Sequence, residues 1–211
     1  MLTVDQISAC GVVPVVVLDD ASHAVPTAKA LLKGGVNAME ITFRTAAATD
    51  SIRAVAQEVP DMILGAGTVI TPAQAQAAVS AGARFLVSPG TSPALIREAQ
   101  SLNVPILPGV VTPSEIMMGL ELGIEVFKFF PAGTFGGLKT IKALSGPFPQ
   151  IRFLPTGGIS QENAADYFRD SRIQAVGGSW MCTREMIAQE RYDEIADACT
   201  KVTALFREIR G

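Results

Sequence analysis

The sequence predicts an α/β protein: a (β/α)8 TIM barrel that forms a single domain over residues 1–211 and includes a short N-terminal helix. Three observations lead to this fold class. Short runs rich in β-branched residues alternate with stretches of helical periodicity, turn residues separate them at a fairly steady interval, and the strand-like runs number eight. Eight parallel units are expected to close into a barrel, and a length below the roughly 250 residues typical of that fold predicts tight loops without an inserted domain.

The strand candidates are short apolar runs bounded by glycine, proline or polar residues. In chain order they are VVPVVVL (12–18), AMEITFR (38–44), MILGAGTV (62–69), RFLVSPG (84–90), VPILPGV (104–110), EVFKFFP (125–131), IRFLPTGG (151–158) and IQAVGGSW (173–180). The segments between them have helical periodicity, and several begin with Ser or Thr before Pro or end in Gly, which are helix start and stop signals. A long closing helix is predicted over 191–211.

An open sheet with a dinucleotide at a glycine-rich turn is the alternative architecture. The segment GAGTVI (65–70) offers such a turn, but Ile70 stands where the fingerprint needs its third glycine. No acidic residue ends a second strand at the expected distance. We therefore interpret GAGTVI as a strand end.

Composition favours a small molecule as the partner. Hydrophobic residues make up 48% of the chain and charged residues 18%, which allows a large core. The formal net charge of −3, without a run of lysines or arginines, argues against nucleic acid or an anionic membrane. The apolar stretch before Asp19 and Asp20 lacks the flanks of a signal peptide and the length of a membrane span, so we expect a cytoplasmic protein.

The sequence does not favour metal chemistry. His23 is the only histidine and there is no CxxC motif, so an ordinary zinc or iron site would depend almost entirely on carboxylates. Cys10, Cys182 and Cys199 are odd in number and widely spaced, which is typical of reduced thiols in a core. We predict neither a metal nor an organic cofactor.

Strand alternation predicts which side chains face the barrel interior. In AMEITFR, Glu40, Thr42 and Arg44 share one face, and the apolar opposite face must lie under the helices. An acid, a hydroxyl and a guanidinium therefore point inward, progressively closer to the C-terminal mouth of the barrel, where active sites of this fold lie.

The same alternation turns Lys128 inward in the apolar strand EVFKFFP. Burial disfavours a charged ammonium, and the free amine is the form that attacks a ketone. The other lysines all fall in helical patterns, so Lys128 is the candidate nucleophile. The competing interpretations are a buried structural ion pair with Glu40 and a lysine that snorkels from an edge strand.

Three further strand ends complete a predicted pocket. Thr68 offers a small hydroxyl at the mouth, on the same face as Leu64 and Ala66. Glycine-rich turns follow the seventh and eighth strands, in PTGGIS and VGGSW. In this fold those turns hold phosphate with backbone N–H groups at a helix N-terminus, which predicts an anion site.

The segments VVPVVVLDD, MEITFRT, GAGTV, FLVSPG, PILPGVVTPSE, KFFPAG, FLPTGGIS and GGSW, in this order over nearly the whole chain, strongly resemble the KDPG/KHG aldolases. The resemblance implies a homotrimeric class I aldolase without a cofactor. Such an enzyme cleaves 2-dehydro-3-deoxy-6-phosphogluconate to pyruvate and glyceraldehyde 3-phosphate, and 4-hydroxy-2-oxoglutarate, which gives pyruvate and glyoxylate, is a second candidate substrate.

The resemblance also implies the role of each motif residue. Lys128 would form the Schiff base, and Glu40 would accept and donate protons. Arg44 and Thr68 would hold the pyruvyl carboxylate. The phosphate would bind Thr156, Gly157, Gly158, Gly178 and Ser179. Gly133 stands where the family often has an acidic residue, which bears on substrate preference.

Two alternatives remain open at this point. One is a cofactor-free phosphosugar isomerase or epimerase on the same barrel, with Glu40 as base and Lys128 only as a cation. The other is a non-catalytic barrel that binds a phosphate ligand. An adduct between pyruvate and Lys128, fixed by borohydride, separates the aldolase from both.

Overall fold

A computed structural model of the chain describes residues 2–211. The strands are β1 (Val12–Val16), β2 (Ala38–Thr42), β3 (Ile63–Gly67), β4 (Phe85–Val87), β5 (Ile106–Leu107), β6 (Gly109–Val110), β7 (Val126–Phe129), β8 (Arg152–Pro155) and β9 (Val176–Gly178). The helices are α1 (Val4–Ile7), α2 (Ala24–Lys33), α3 (Ala48–Glu58), α4 (Pro72–Ala81), α5 (Pro93–Ser101), α6 (Pro113–Leu120), α7 (Gly137–Ser145), α8 (Ala164–Phe168), α9 (Arg184–Ala188) and α10 (Tyr192–Arg210). Each predicted strand region therefore contains a strand, although all are shorter than predicted.

The strands form two parallel sheets. Six strands pair in the order β5-β4-β3-β2-β1-β9 and curl into a half-barrel, and three pair in the order β6-β7-β8. The prediction of a closed eight-stranded TIM barrel was wrong, because the hydrogen-bonded ladder is interrupted at two seams.

The first seam lies at Pro108, inside the run that was predicted as the fifth strand. Proline has no N–H to give to a ladder, and the Pro108 carbonyl accepts from the backbone N–H of Lys128 at 2.9 Å. The chain changes partner there, since β5 pairs with β4 whereas β6 pairs with β7.

The second seam lies between β8 and β9, where the pairing found within residues 2–211 consists of two isolated bridges, Phe153↔Ile173 and Thr156↔Gly177. A Cβ on Gly177 would lie 2.2 Å from the Thr156 hydroxyl oxygen, so the Thr156 side chain occupies the space beside Gly177.

The helix starts follow the predicted signals. Three helices begin with a hydroxyl N-cap followed by proline: α4 at Thr71 and Pro72, α5 at Ser92 and Pro93, and α6 at Thr112 and Pro113. Each cap side chain accepts a backbone N–H of the first turn, which satisfies one of its free donors. The loops between strands and helices are therefore short and well defined.

The hydrophobic core has two layers. The larger one packs the outer faces of the strands against the helices. The smaller one fills the space enclosed by the strands and consists of Ile7, Val13, Ala38, Phe85, Val87, Leu107, Leu154 and Ala175. Ile7 comes from α1, which is held by a capping box between Thr3 and Gln6 and covers the N-terminal end of the strands. The Phe85 ring lies against Gly65, where a Cβ would come within 2.3 Å of it. The apolar side chains therefore fill the space between the strands, and the C-terminal ends of the strands are the expected place for a site.

Among residues 2–211, no helix combines the length and apolar character needed to cross a bilayer.

Candidate active site

Lys128 and Glu40 meet inside the strands, as alternation predicts. Lys128 lies on β7 and Glu40 on β2, and the lysine Nζ donates to Glu40 Oε1 at 3.2 Å. Their side chains are only 3% and 1% exposed. The Phe130 ring centroid lies 5.3 Å from Nζ, close enough for a cation–π contact while the amine is charged.

This pair is poorly satisfied for a structural ion pair. Glu40 Oε2 is buried and has no hydrogen-bond partner among the described residues. Lys128 Nζ can donate three hydrogens, and within residues 2–211 it donates one hydrogen bond. Buried ion pairs stabilise a fold only when their remaining lone pairs and protons are also bonded. A reacting substrate would form hydrogen bonds with Glu40 Oε2 and with the remaining N–H groups of Lys128.

Arg44 and Thr68 also come together, at the mouth. Arg44 Nε donates to Thr68 Oγ1 at 3.0 Å, and the Arg44 side chain is exposed. Alternation alone would put Thr68 with Leu64 and Ala66, which pack under the helices. The chain turns instead, because Thr68 has a φ of 55° directly after β3 ends. This conformation is uncommon for a β-branched residue, and it aims the hydroxyl at Arg44.

The two predicted glycine turns line one cavity. A space of about 120 Å³ is bounded by Val15, Arg44, Phe130, Thr156, Gly157, Gly158, Ile159, Gly178 and Ser179. The structure therefore places the five residues predicted to bind phosphate beside the arginine predicted to bind a carboxylate. Phe130 links this cavity to Lys128.

Most of the walls of this cavity are loops, and Val15 of β1 and Gly178 of β9 complete them. Gly157 and Gly158 have φ values of 89° and 77° and turn the chain after β8, and α8 begins only at Ala164. The expectation of an anion directly at a helix N-terminus is therefore wrong for this turn. The turn pairs with the loop after β7, where Ala132 N–H donates to Thr156 O at 2.8 Å and Gly133 N–H donates to Gly157 O at 2.9 Å. The catalytic strand and the glycine turn thus form one connected rim.

The cavity residues that sequence reasoning missed are Val15, Phe130 and Ile159. Alternation along β1 was sufficient to place Val15 on the inward face, since Val13, two residues earlier, belongs to the smaller core layer. Phe130 lies two residues after Lys128, so alternation along the same strand was sufficient to place it on the inward face. Ile159 follows the two left-handed glycines, so no periodic pattern indicates its direction.

A larger cavity, of about 490 Å³, lies at the opposite end of the strands. Its lining includes Asp5, Glu125 and Arg152, at or near the starts of α1, β7 and β8. Active sites of parallel α/β folds lie at the carboxyl ends of strands, and the smaller cavity is lined by Arg44 and by Phe130, whose ring centroid lies 5.3 Å from Lys128 Nζ. We therefore assign the chemistry to the smaller cavity.

The thiols and the histidine lie apart from this site. Burial raises the pKa of the Cys182 thiol, and it raises the pKa of Cys199 to about 12. Both side chains pack in the core, as predicted. His23 Nδ1 is 2.9 Å from the Tyr192 hydroxyl. Within residues 2–211, no three His, Cys, Asp or Glu side chains are grouped as a metal site.

Comparison with known proteins gives a consistent set of relatives. The chain is 46% identical over 205 residues to the 2-dehydro-3-deoxy-phosphogluconate aldolase of Dickeya dadantii, which covers 97% of this chain and 93% of the relative. It is 47% identical over 184 residues to the KHG/KDPG aldolase of Escherichia coli, covering 87% and 86% of the two chains.

A solved structure with the same fold is that of KDPG aldolase from Legionella pneumophila with pyruvate captured at low pH as a covalent carbinolamine intermediate. It aligns with a TM-score of 0.91 and 41% identity over 94% of this chain and 97% of the other. The family profile KDPG and KHG aldolase matches residues 4–198. The chain therefore belongs to the KDPG and KHG aldolase family.

Proposed function

We propose that this chain is a class I aldolase that cleaves 2-dehydro-3-deoxy-6-phosphogluconate to pyruvate and glyceraldehyde 3-phosphate through a Schiff base on Lys128. The observation that carries the proposal is the buried pair in which Lys128 Nζ lies 3.2 Å from Glu40 Oε1. Membership of the aldolase family makes the chain a lyase. The relatives named KDPG aldolase, one of them solved with covalently captured pyruvate, support this substrate class.

The first step is proton transfer within the buried pair. Moving a proton from Lys128 Nζ to Glu40 Oε1, across a hydrogen bond of 3.2 Å, leaves the free amine that attacks a ketone. The free amine then adds to the C2 ketone, and the alkoxide that forms takes a proton to give a carbinolamine. Glu40 is the proton source within hydrogen-bond reach of the amine.

Loss of water from the carbinolamine gives an iminium ion, which accepts the electron pair of the C3–C4 bond. Glu40, as a carboxylate again, removes the proton of the C4 hydroxyl while that bond breaks, and glyceraldehyde 3-phosphate leaves. The remaining enamine is protonated at C3, and water hydrolyses the imine to release pyruvate and the free Lys128 amine. Protons and electrons balance over the cycle with Lys128 and Glu40 alone, so we propose that neither a metal nor an organic cofactor is required.

The test of this function is a cleavage assay combined with trapping. We expect purified protein to release pyruvate from 2-dehydro-3-deoxy-6-phosphogluconate, and borohydride added with pyruvate to inactivate it with one reduced adduct on Lys128. Cleavage without any adduct would overturn the Schiff-base mechanism. An absence of turnover would favour the non-catalytic phosphate-binding alternative, and isomerisation without cleavage would favour the isomerase alternative.

Arg44 and Thr68 are the proposed carboxylate site. The planar guanidinium presents two parallel N–H groups that match a carboxylate, and the bond to Thr68 Oγ1 fixes its orientation. We expect Arg44→Lys to raise the KM for the keto acid by about tenfold, because lysine keeps the charge and loses the paired geometry. Steady-state kinetics measure the change.

Arg53→Lys is the matched control, since Arg53 is an exposed arginine on α3 that pairs with Asp50. Its KM should stay at the wild-type value. An unchanged KM in Arg44→Lys would remove Arg44 from the carboxylate site.

Ser179 and the glycine turns are the proposed phosphate site. Ser179 is exposed at the cavity and supplies a hydroxyl beside the backbone of Gly178. We expect Ser179→Ala to lower kcat/KM for the phosphorylated substrate by about tenfold, since a hydrogen bond to a charged group is lost. Adduct formation with pyruvate, which carries no phosphate, should be unaffected. Equal losses with both ligands would contradict the assignment.

The second candidate substrate is 4-hydroxy-2-oxoglutarate, supported by the Escherichia coli relative whose name includes KHG. Gly133 lies at the rim, where an added Cβ would come 3.3 Å from Gly158 Cα. Turnover of the two substrates by the same preparation measures the preference of this chain.

We infer a homotrimer in a reducing, cytoplasmic compartment. Met117 and Met118 on α6 are 54% and 38% exposed, which supports an apolar contact between copies. The free thiols support a reducing compartment. Light scattering after size exclusion should give a mass of three chains, and a mass of one chain would overturn the trimer.

A further inference from the structure

Thr42 is a buried hydroxyl that the mechanism above does not use. It ends β2 on the same face as Glu40, two residues further toward the mouth, and its side chain is 1% exposed. Its Oγ1 has no hydrogen-bond partner among residues 2–211. A buried hydroxyl that stays unpaired costs stability, and valine has nearly the same shape without that cost. The hydroxyl therefore calls for a functional explanation.

Glu40 Oε2, which has no hydrogen-bond partner in the described chain, lies over the residue that pairs with Thr42. Gly67 on β3 is the ladder partner of Thr42, and a Cβ on Gly67 would come 2.2 Å from Glu40 Oε2. The carboxylate thus lies over Gly67, directly beside Thr42. Among the described residues, Glu40 Oε2 and Thr42 Oγ1 are both buried without a hydrogen-bond partner, and both belong to strand β2 beside Gly67.

Thr27 carries a hydroxyl like that of Thr42 at a different position in the fold. Thr27 on α2 also has a buried Oγ1 without a partner in the described chain, and its side chain is 0% exposed. Thr27 belongs to α2, whose apolar residues pack in the larger core layer, whereas Thr42 lies on the same strand as Glu40. It provides a control in which a hydroxyl of the same kind is removed far from the chemistry.

We propose that Thr42 is a positioning residue which, together with Glu40 Oε2, holds the oxygen that leaves C2 as water and returns during hydrolysis. This inference rests on the proposed Schiff-base function. When the carbinolamine loses water, protonated Glu40 gives its proton to the C2 hydroxyl, the C2–O bond breaks and the nitrogen lone pair forms the C=N bond. In the reverse direction water adds to C2, and Glu40 takes the proton that water releases.

Thr42 supplies the second contact that this water needs. The Thr42 O–H donates to a lone pair of the water, which leaves one water O–H aimed at Glu40 Oε2 and the other lone pair aimed at C2. A carboxylate alone fixes the water by a single hydrogen bond, whereas two contacts define a direction of attack. Removal of the hydroxyl should therefore slow hydrolysis of the imine and leave proton exchange at C3 intact.

The isotope pattern of pyruvate in D2O separates these two steps. While the imine persists, the methyl hydrogens exchange one at a time through the enamine, and hydrolysis ends the exchange. In Thr42→Val we expect hydrolysis to slow by about three- to tenfold, the range of one lost hydrogen bond. At low conversion the released pyruvate should shift from singly toward triply deuterated molecules, and the adduct that borohydride traps should form more slowly.

Thr42→Ser restores the hydroxyl and should restore the wild-type isotope pattern, and Thr27→Val should show that pattern as well. Thr42→Ala serves as a second variant without the hydroxyl if valine impairs folding, which thermal melting reports. A folded Thr42→Val or Thr42→Ala with the wild-type pattern would overturn the role of Thr42. If the wild-type protein itself neither exchanges pyruvate nor forms an adduct, the Schiff-base function fails instead.

Discussion

Lys128→Met should abolish aldol cleavage, with a loss on the order of 10⁴-fold or more, because the variant retains the packing volume but no nucleophile. Borohydride and pyruvate should then leave the protein without an adduct. Mass spectrometry of the intact chain and of its peptides measures both the presence and the position of the adduct. Lys201→Met is the control, since Lys201 is exposed on α10, and it should keep both activity and adduct.

The loss of Lys128 also leaves a buried carboxylate without its partner. Removing one member of a buried pair costs about 3–5 kcal/mol of stability, so a part of the lost activity could come from unfolding. The double variant Lys128→Met with Glu40→Gln removes this charge and should recover most of the free energy of unfolding in urea titration. It should stay inactive. Cleavage by a folded protein without Lys128, or an adduct on another lysine, would contradict the assignment.

The agreement between sequence and structure is best for Lys128 and Glu40. Both lie in the middle of strands, where alternation is strict and one face must be apolar. The side chains of β2 and β7 therefore had to converge once the strands were placed, and the 3.2 Å contact confirms that convergence. The family resemblance added their chemical roles, which alternation does not contain.

Strand ends were harder to predict than strand centres. Thr68 follows the last residue of β3 in a left-handed conformation, so the rule that groups it with Leu64 and Ala66 no longer applies. Gly157 and Gly158 were correctly predicted to form a turn, but the length of the loop before α8 was not. The local sequence pattern identifies such residues as site candidates but does not predict where their side chains point.

The closure of the barrel was the prediction that failed. Counting eight strand-like runs was correct as a description of the sequence, but pairing depends on where each strand finds its partner. At Pro108 one run divides between two sheets, and at Gly177 the pairing is reduced to an isolated bridge. The hydrophobic periodicity of the sequence predicts neither seam, because both depend on contacts between strands that are distant in sequence.

Glu40→Gln should lower kcat for cleavage by about 10²- to 10⁴-fold, the usual contribution of a positioned acid or base. The amide keeps the shape and can accept the Lys128 hydrogen bond but does not balance the ammonium charge, so the variant should lose stability, and thermal melting must show that it is folded under the assay conditions. It cannot take up the lysine proton or the C4 hydroxyl proton. Rapid-quench trapping with pyruvate and borohydride should show the adduct on Lys128 forming more slowly and reaching the wild-type yield at long times.

This time course separates the aldolase from the isomerase alternative. An enzyme that used Lys128 only as a cation would form no adduct in the wild-type protein or in Glu40→Gln, and Lys128→Met would lose binding more than turnover. Glu125→Gln is the matched control, because Glu125 is exposed directly before β7, at the opposite end of the strand from the cavity, and should behave as wild type. If Glu40→Gln formed the adduct and cleaved substrate at wild-type rates, the proton would have to travel through another group, and the buried contact between Lys128 and Glu40 would be structural only.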